Sequence, residues 1–227
     1  MPSHHPSEEM LMDYAAGSLA EAPALLVATH LALCPECRHR VSAFEALGGV
    51  LLEELSPAPL GAEALDAVLA RLDDPAALEP PPRTPRATVT AAPATPPRPA
   101  PLLPEPLRSY AGGDPDTIAW RRVIGGIEEH VLPVARTDFK ACLYRIAPGV
   151  VVPRHTHGRS EMLLVLEGAV RDRGMRFGRG DVSFADGGID HSPAAEPERP
   201  CICLAVLDGP LRLTGPIGRW LNRFVKL

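Results

Sequence analysis

The sequence predicts an α+β protein with two domains, an all-α domain at the N-terminus and an all-β barrel at the C-terminus. Apolar residues in the first 74 positions recur with the period of an α-helix, whereas those after position 140 form short runs separated by glycine and proline. Of the 27 prolines, twelve fall between Pro75 and Pro106, where no periodic apolar pattern is present. We therefore expect domains at residues 1–74 and 109–227, joined by a proline-rich linker at residues 75–108.

The N-terminal region is strongly acidic. Residues 1–74 contain twelve acidic side chains against Arg38, Arg40 and Arg71, a local charge of -9 in a chain whose formal net charge is -5. Phosphate backbones repel such a domain, which argues against direct nucleic-acid binding and favours a protein partner with a basic surface. The first residues do not resemble a signal peptide, and no apolar run is long enough to span a membrane. We therefore expect a cytoplasmic protein that does not contact a membrane.

About four helices are predicted in the N-terminal domain. The first follows Ser7, a suitable capping residue. The second is the nearly all-apolar run from Leu25 to Leu33, which predicts a helix in the centre of the domain. Pro35 begins a third helix, and an amphipathic fourth follows it. The residues expected to point inward from the third helix are Val41, Phe44, Leu47, Leu51 and Leu55, and the apolar stripe of the fourth is Leu65, Val68, Leu69 and Leu72.

Metal-binding residue types lie where the second and third helices meet. His30, Cys34 and Cys37 are spaced by four and three residues, which would place them on one helical face. Because Pro35 disfavours helical geometry in the residue before it, we expect the chain to bend at Cys34. One imidazole and two thiolates suit zinc. A redox role for the Cys-x-x-Cys pair is less favoured, since no βαβ pattern surrounds it.

Zinc takes four ligands in tetrahedral geometry, and His4 or His5 is the obvious source of the fourth. The segments His-His-Pro-Ser-Glu-Glu-Met-Leu-Met-Asp-Tyr and Ala-Thr-His-Leu-Ala-Leu-Cys-Pro-Glu-Cys-Arg resemble the zinc-binding anti-sigma domain of the ChrR family. This resemblance covers roughly residues 4 to 73. It implies capture of an extracytoplasmic-function sigma factor, which is thereby kept from core RNA polymerase. The zinc ligands that it implies are His5, His30, Cys34 and Cys37.

A second set of metal ligands occurs in the C-terminal domain. Residues Gly149, His155, His157, Glu161 and Gly168 match the first sequence motif of the cupin barrel at every position. The two histidines are two apart on a strand and therefore face the same side, while Glu161 and His191 would arrive from neighbouring strands. His191 belongs to a second cupin motif, which is less complete. Three imidazoles and one carboxylate suit a divalent metal, with zinc, iron, manganese and nickel all possible.

The C-terminal domain also resembles the sensor domain of the ChrR family. Arg-Phe-Gly-x-Gly-Asp precedes the second cupin motif, and Cys-Ile-Cys-Leu-Ala follows it. The resemblance thus spans almost the whole chain apart from the linker. It implies zinc as the cupin metal, and it implies release of the sigma factor when singlet oxygen or a related oxidant appears.

Other interpretations stay open at this point. The chain could be a metal-dependent cupin enzyme, such as a dioxygenase or isomerase with an accessory zinc domain, or a scaffold whose metals are both structural. An enzyme needs an open coordination position beside a polar pocket with an acid or base, and no convincing set of such residues is present, so we expect no enzyme. Thiol sensing by Cys142, Cys201 and Cys203 is conceivable, but packing as small apolar side chains is the simpler interpretation.

Overall fold

The computed structural model describes residues 1–72, 100–135 and 139–214. Residues Met1–Gly49 pack with the chain from Pro101 onward as one compact unit, and Val50–Ala100 form a second unit. Positions 75–99 of the expected linker and positions 215–227 of the expected barrel domain lie outside the described residues. No described helix has the length and apolar character needed to cross a membrane.

The helices lie mainly in the first 72 residues, as predicted. Their bounds are Glu8–Ala15 (α1), Glu21–Leu33 (α2), Pro35–Glu53 (α3), Ala64–Leu72 (α4) and Leu107–Ala111 (α5). Helix α5 overlaps the end of the segment expected to be a linker, where Leu103 and Leu107 are fully buried. The Ser7 hydroxyl accepts a hydrogen bond from the Met10 N–H and so caps α1. Cys34 is extended, with φ -120° and ψ 103°, and α3 begins at the next residue. The predicted bend at Cys34 is therefore confirmed, with the restriction that proline imposes on its predecessor as the reason.

The described residues after α5 form strands and connecting turns, which confirms the predicted α+β architecture. The strands are Arg121–Ile124 (β1), Ile127–Val131 (β2), Phe139–Ile146 (β3), His155–His157 (β4), Ser160–Glu167 (β5), Ala169–Asp172 (β6), Met175–Gly178 (β7), Val182–Asp186 (β8), Ala194–Ala195 (β9), Cys201–Asp208 (β10) and Leu211–Leu213 (β11). A six-stranded antiparallel sheet has the order β1-β2-β3-β10-β5-β8, and two smaller sheets have the orders β11-β4 and β7-β6-β9.

The central strand β10 is buried on both faces. Cys201 and Cys203 point into the interior core of the β-domain, whereas Ile202, Leu204 and Val206 point into a second core on the opposite face of the sheet. This double burial explains why the sequence of β10 is a continuous apolar run and does not alternate with polar residues.

Helix α2 covers the outer face of that sheet. Leu25 and Leu26 pack in the core shared with β3, β5 and β10, while Val27 and Leu31 pack in a separate helical core with α1 and α3. The sequence prediction of a central helix is confirmed. Its nearly uniform apolar character follows from burial on two sides, one of which is the β-domain.

The N-terminal segment also runs along the sheet. Strand β8 is an edge strand, and the N–H of Val182 donates to the carbonyl oxygen of His4 at 3.0 Å. Farther along, the Glu21 carboxylate accepts hydrogen bonds from the Tyr110 hydroxyl at 2.7 Å and from the Ala135 N–H at 2.6 Å. These polar contacts cover part of an exposed sheet edge and fix the start of α2 against the β-domain.

The inward face predicted for α3 is correct only in its first half. Val41 is buried and Phe44 packs against the helical core. Leu47 and Leu51 are each 56% exposed, and Leu55 is 65% exposed, so the prediction is wrong for these three residues. The helical core includes Val41 and Phe44 but no later residue of α3, and Leu55 follows the end of the helix at Glu53.

We expect the substitution Leu26→Ala to lower the free energy of unfolding by about 2–5 kcal/mol, because it empties a fully buried position between α2 and the sheet. Met12→Ala is the matched control: Met12 is 49% exposed, and its loss should change stability by less than about 0.5 kcal/mol. Urea denaturation followed by circular dichroism measures both. Equal stabilities of the two variants would contradict packing of α2 on the β-domain.

Candidate metal centres

The structure brings His5, His30, Cys34 and Cys37 together at the junction of α2 and α3. One potential ligand atom from each lies within 4.8 Å of all the others. His5 Nδ1 is 3.5 Å from Cys34 Sγ and 3.3 Å from Cys37 Sγ. Two imidazoles and two thiols thus converge on one point, which is the donor set of a structural zinc site.

The ring of His30 has a defined orientation. Its Nδ1 lies 2.8 Å from the carbonyl oxygen of Gly180, and because a carbonyl only accepts, Nδ1 carries the proton. Burial lowers the pKa of His30, which favours the neutral ring and leaves a lone pair on Nε2. That Nε2 atom is buried and has no hydrogen-bond partner. A metal ion at the cluster would satisfy it, so the residues present fit zinc.

The neighbouring histidine, His4, points elsewhere. Its Nδ1 lies 3.6 Å from Asp181 Oδ2, and its ring packs against Phe177. Of the two histidines that the sequence left open, His5 is therefore the one that the structure places beside the thiols.

The thiol of Cys37 is poorly suited to ionise alone. Burial, together with the hydrogen bond and charge of neighbouring Cys34, raises the pKa of Cys37 to about 12. A thiolate at this position therefore needs a cation beside it, and metal binding here should release protons.

A second cluster forms inside the β-domain. His155 and His157 lie on β4, and Glu161 is the second residue of β5. His191 pairs with His155 through an isolated β-bridge. Their potential ligand atoms also lie within 4.8 Å of one another, and all four residues are buried. The four residues that the cupin motifs predicted are thus in one place, each supplied by the strand arrangement that the motif implies.

Distances within this cluster also fit a cation. The Nε2 atoms of His157 and His191 are 2.9 Å apart, and Glu161 Oε2 lies 3.4 Å and 3.6 Å from them. Two ring nitrogens at this separation require a proton or a metal ion between them. Burial lowers the pKa of His157 to about 4, which favours its neutral, metal-binding form. Burial also raises the pKa of Glu161 to about 7, so an adjacent cation would stabilise its carboxylate.

Oxygen acceptors hold two of the three rings in place. His155 Nδ1 donates to the carbonyl oxygen of Pro153 at 2.7 Å, and His191 Nδ1 donates to Asp172 Oδ2 at 2.8 Å. Burial alone would raise the pKa of Asp172, but its hydrogen bonds with His191 and Arg173 keep the pKa below the usual value. Both rings therefore turn Nε2 toward the cluster, as the ring of His30 does in the first site.

An apolar cavity adjoins the second cluster. His155 and Glu161 contribute to its wall together with Tyr144 and Cys203, and its other described lining residues are apolar. A small, weakly polar molecule could lie next to the ligands in this cavity.

The other cysteines of the β-domain pack as apolar residues. Cys142, Cys201 and Cys203 are fully buried and unpaired by disulfides. Burial raises the pKa of Cys142 to about 12, and the contact with Cys201, together with burial, raises the pKa of Cys203 well above its usual value. These two thiols are protonated at neutral pH, which supports the packing interpretation over thiol reactivity.

Comparison with known proteins agrees with this arrangement. A family model described as the ChrR cupin-like domain matches residues 109–211, and a zinc-finger model matches residues 7–38. The chain is 40% identical over 224 residues to the anti-sigma-E factor ChrR of Cereibacter sphaeroides, covering 99% of this chain and 98% of that protein.

Solved structures give the same relationship. The crystal structure of Rhodobacter sphaeroides SigE in complex with the anti-sigma ChrR matches with a TM-score of 0.75 and 40% identity, over 92% of this chain and 100% of the other. A cupin protein from Ralstonia eutropha JMP134 matches with a TM-score of 0.39 and 14% identity, over 49% of this chain and 82% of the other, which is too low to inform function.

The helical zinc-finger region followed by a cupin-like β-domain defines a class of protein with two candidate metal centres on one chain. The identity extends across nearly all of both chains in the comparison with ChrR. The chain therefore belongs to the ChrR family.

Sequence reasoning missed the residues that orient the ligands. Asp172 and Asp181 are both buried carboxylates, and Gly180 contributes only its backbone carbonyl. Asp181 is the last residue of the Arg-Phe-Gly-x-Gly-Asp segment that the sequence analysis noted. Its hydrogen-bond partners, the N–H groups of Ser3 and His4, are 178 and 177 positions away in the chain. No spacing rule predicts such contacts.

We expect Asp172→Ala to weaken metal binding at the second cluster by about 10- to 100-fold, because His191 loses the acceptor that fixes its ring. Titration with Co²⁺, followed by the visible absorption of a site without thiolates, measures this. Asp186→Ala is the control, since Asp186 is exposed and is hydrogen-bonded to the Gly188 N–H. An unchanged affinity in Asp172→Ala would show that this carboxylate does not support the site.

Proposed function

We propose that this chain is an anti-sigma factor: it binds an extracytoplasmic-function sigma factor, keeps it from RNA polymerase in the cytoplasm, and releases it under oxidative stress. The observation that carries the proposal is similarity to ChrR over nearly the whole chain. The sequence is similar to that of ChrR, and the structure is similar to that of ChrR in its complex with SigE. The two side-chain clusters support it, because each half of the family architecture brings together residues that could hold a metal ion.

The metals in this proposal are zinc at the first cluster and one divalent metal, zinc by family resemblance, at the second. Two thiols with two imidazoles favour zinc at His5, His30, Cys34 and Cys37. Three imidazoles and a carboxylate at His155, His157, Glu161 and His191 accept several divalent ions. A bound metal would supply charge that holds thiolates and a carboxylate together in a buried place.

The surface proposed to bind the sigma factor includes α4. None of its residues is buried, and its apolar stripe is exposed to between 48% and 67%: Leu65, Val68, Leu69 and Leu72. An amphipathic helix of this kind gains stability when a partner groove covers the stripe. The acidic balance of residues 1–74 favours a basic partner surface and disfavours direct contact with nucleic acid.

We further propose a division of labour along the chain. Residues 1–74 would hold the sigma factor, residues 75–108 would link, and residues 109–227 would sense the oxidant. The apolar cavity next to His155 and Glu161 supports a sensing role, because it would bring a small oxidant close to the metal ligands. Singlet oxygen as the signal rests on the family resemblance.

A metal-dependent cupin enzyme is the second candidate, and the same cavity is the observation that favours it. Apart from the metal ligands His155 and Glu161, the described polar residues of its wall are Tyr144 and Cys203. Burial strongly raises the pKa of Tyr144, and the pKa of Cys203 is raised as well, so neither is suited to proton transfer at neutral pH. We therefore propose a binding role for this site. Turnover of a substrate by the metal-loaded chain would contradict it.

Two metal equivalents per chain are expected, since the two clusters use separate residues. Cys34→Ser with Cys37→Ser should lose one equivalent, and His155→Ala with His157→Ala should lose the other. Elemental analysis of the purified variants measures both. If either double variant keeps the full metal content, the cluster it alters does not hold a metal.

We expect Leu69→Asp in α4 to weaken binding of the sigma factor by at least about 10-fold, because it places a charge in the middle of the exposed apolar stripe. Asp66→Ala, on the same helix but outside the stripe, is the matched control. Co-expression with the extracytoplasmic-function sigma factors of the source genome, followed by affinity measurement on the purified pair, tests this. Equal affinity of Leu69→Asp and the unaltered chain would remove α4 from the binding surface.

A further inference from the structure

One turn of the β-domain touches the ligands of the helical metal site. We call residues Gly180–Val182, which lead from β7 into β8, the barrel clasp. The carbonyl oxygen of Gly180 accepts the hydrogen bond from His30 Nδ1 at 2.8 Å. Asp181 Oδ1 accepts from the N–H of Ser3 at 2.6 Å and from the N–H of His4 at 3.0 Å. The N–H of Val182 donates to the carbonyl oxygen of His4.

These contacts orient the imidazole of His30 and hold the backbone of the residue before His5. The bond to Gly180 decides which nitrogen of His30 carries the proton and which faces the thiols. Asp181 accepts a hydrogen bond from the His4 N–H and Val182 donates one to the His4 carbonyl oxygen, so both backbone polar groups of the residue before His5 are held by the β-domain. Without them the segment ahead of α1 would have fewer contacts to hold it, and fixing His5 would cost more conformational entropy.

The barrel clasp is itself rigid. Asp181 Oδ2 accepts from the Gly178 N–H at 2.8 Å, and the Gly180 N–H donates to the carbonyl oxygen of Val165 in β5 at 2.8 Å. Gly180 has φ +90°, and a Cβ atom there would lie 2.6 Å from Pro2 Cγ. The close approach of the two segments thus requires glycine at this position.

We propose that the barrel clasp is part of the first metal site, so that metal retention by the helical region depends on the β-domain. The inference rests on the proposed metal binding at His5, His30, Cys34 and Cys37. It assigns to Asp181 and to the Gly180 carbonyl a positioning role that acts through His30 and His5.

The same strand also reaches the second cluster. Strand β8 starts within the barrel clasp, and its residue Ala185 pairs with Glu161 on β5. A displacement of β8 that followed from a change at Glu161 would therefore alter the position of the barrel clasp, and with it the rings of the first site. This gives the full chain a direct structural connection between its two candidate metal centres.

The test measures metal release from the first site in the full chain. Co²⁺ bound by thiolates gives a charge-transfer absorption that the thiolate-free second cluster cannot give, so the absorption reports on the first site alone. We expect Asp181→Ala to release Co²⁺ to a chelator about 10- to 100-fold faster than the unaltered chain. Asp181→Asn keeps an oxygen for the Ser3 and His4 N–H groups and should restore most of the retention.

Two further variants make the result specific. Asp186→Ala changes a carboxylate at the far end of β8 and should release Co²⁺ at the rate of the unaltered chain. Ser3→Pro removes the N–H and the hydroxyl that Ser3 donates to Asp181 without altering the β-domain, and should speed release by a smaller factor because the His4 N–H still donates to Asp181. If Asp181→Ala does not fold, Ser3→Pro decides the question alone.

The rates of Co²⁺ release from these variants decide whether the barrel clasp supports the first metal site. Faster release in Asp181→Ala and Ser3→Pro, with Asp186→Ala unchanged, supports the barrel clasp. Release at the unaltered rate in folded Asp181→Ala, or in Ser3→Pro where Asp181→Ala does not fold, overturns it and leaves the metal site itself standing. If the unaltered chain shows no thiolate absorption with Co²⁺, the first metal site is wrong and the inference falls with it.

Discussion

The packing of α2 between two cores is the constraint on which the rest of the structure depends. A helix that is apolar nearly all round must be covered on every side, and α1 with α3 covers only the side that carries Val27 and Leu31. The six-stranded sheet covers the side that carries Leu25 and Leu26. Because His30 lies near the end of this helix, the packing that buries α2 also determines how far the first metal cluster stands from the β-domain.

Both candidate metal centres use the same arrangement to aim their histidines. In His30, His155 and His191, Nδ1 is bound to an oxygen acceptor, and Nε2 faces the cluster. The acceptors in the second cluster come from the β-domain itself, whereas the acceptor for His30 comes from a residue 150 positions away in the chain. The four residues of the first cluster thus all lie within the first 37 positions, whereas the carbonyl group that orients His30 belongs to the β-domain. Metal binding is coupled to folding in many zinc-finger regions, and in this chain hydrogen bonds to the β-domain also hold the clustered residues.

The sequence was sufficient for the architecture and for the ligands that have fixed spacing. Helical and strand periods separated the two halves, and the Cys-x-x-Cys and cupin motifs predicted seven of the eight clustered residues, while the choice of His5 over His4 needed the family resemblance. Spacing could not predict what covers an apolar face. Leu25 was assigned to a central helix by its nearly all-apolar surroundings and Leu47 to the inward face of the third helix, yet Leu25 is buried by the β-domain and Leu47 is exposed. Positioning residues such as Asp172 were not predicted from the sequence, because tertiary packing determines which residues they contact.

The direct contact between the helical region and the β-domain changes how a signal can be transmitted. A proline-rich linker transmits little order, so a sensor connected only through residues 75–108 would have to act by exposure or by proteolysis. Here β5 carries Glu161, β8 pairs with β5, and the turn before β8 holds His30 and His4. A stimulus at the second cluster needs only to change the relative free energy of this contact to favour one state of the helical region. The barrel clasp is a small, polar part of a contact that otherwise consists of apolar packing of α2 on the sheet, so a change at either metal centre would have to alter only a few hydrogen bonds to reach the other.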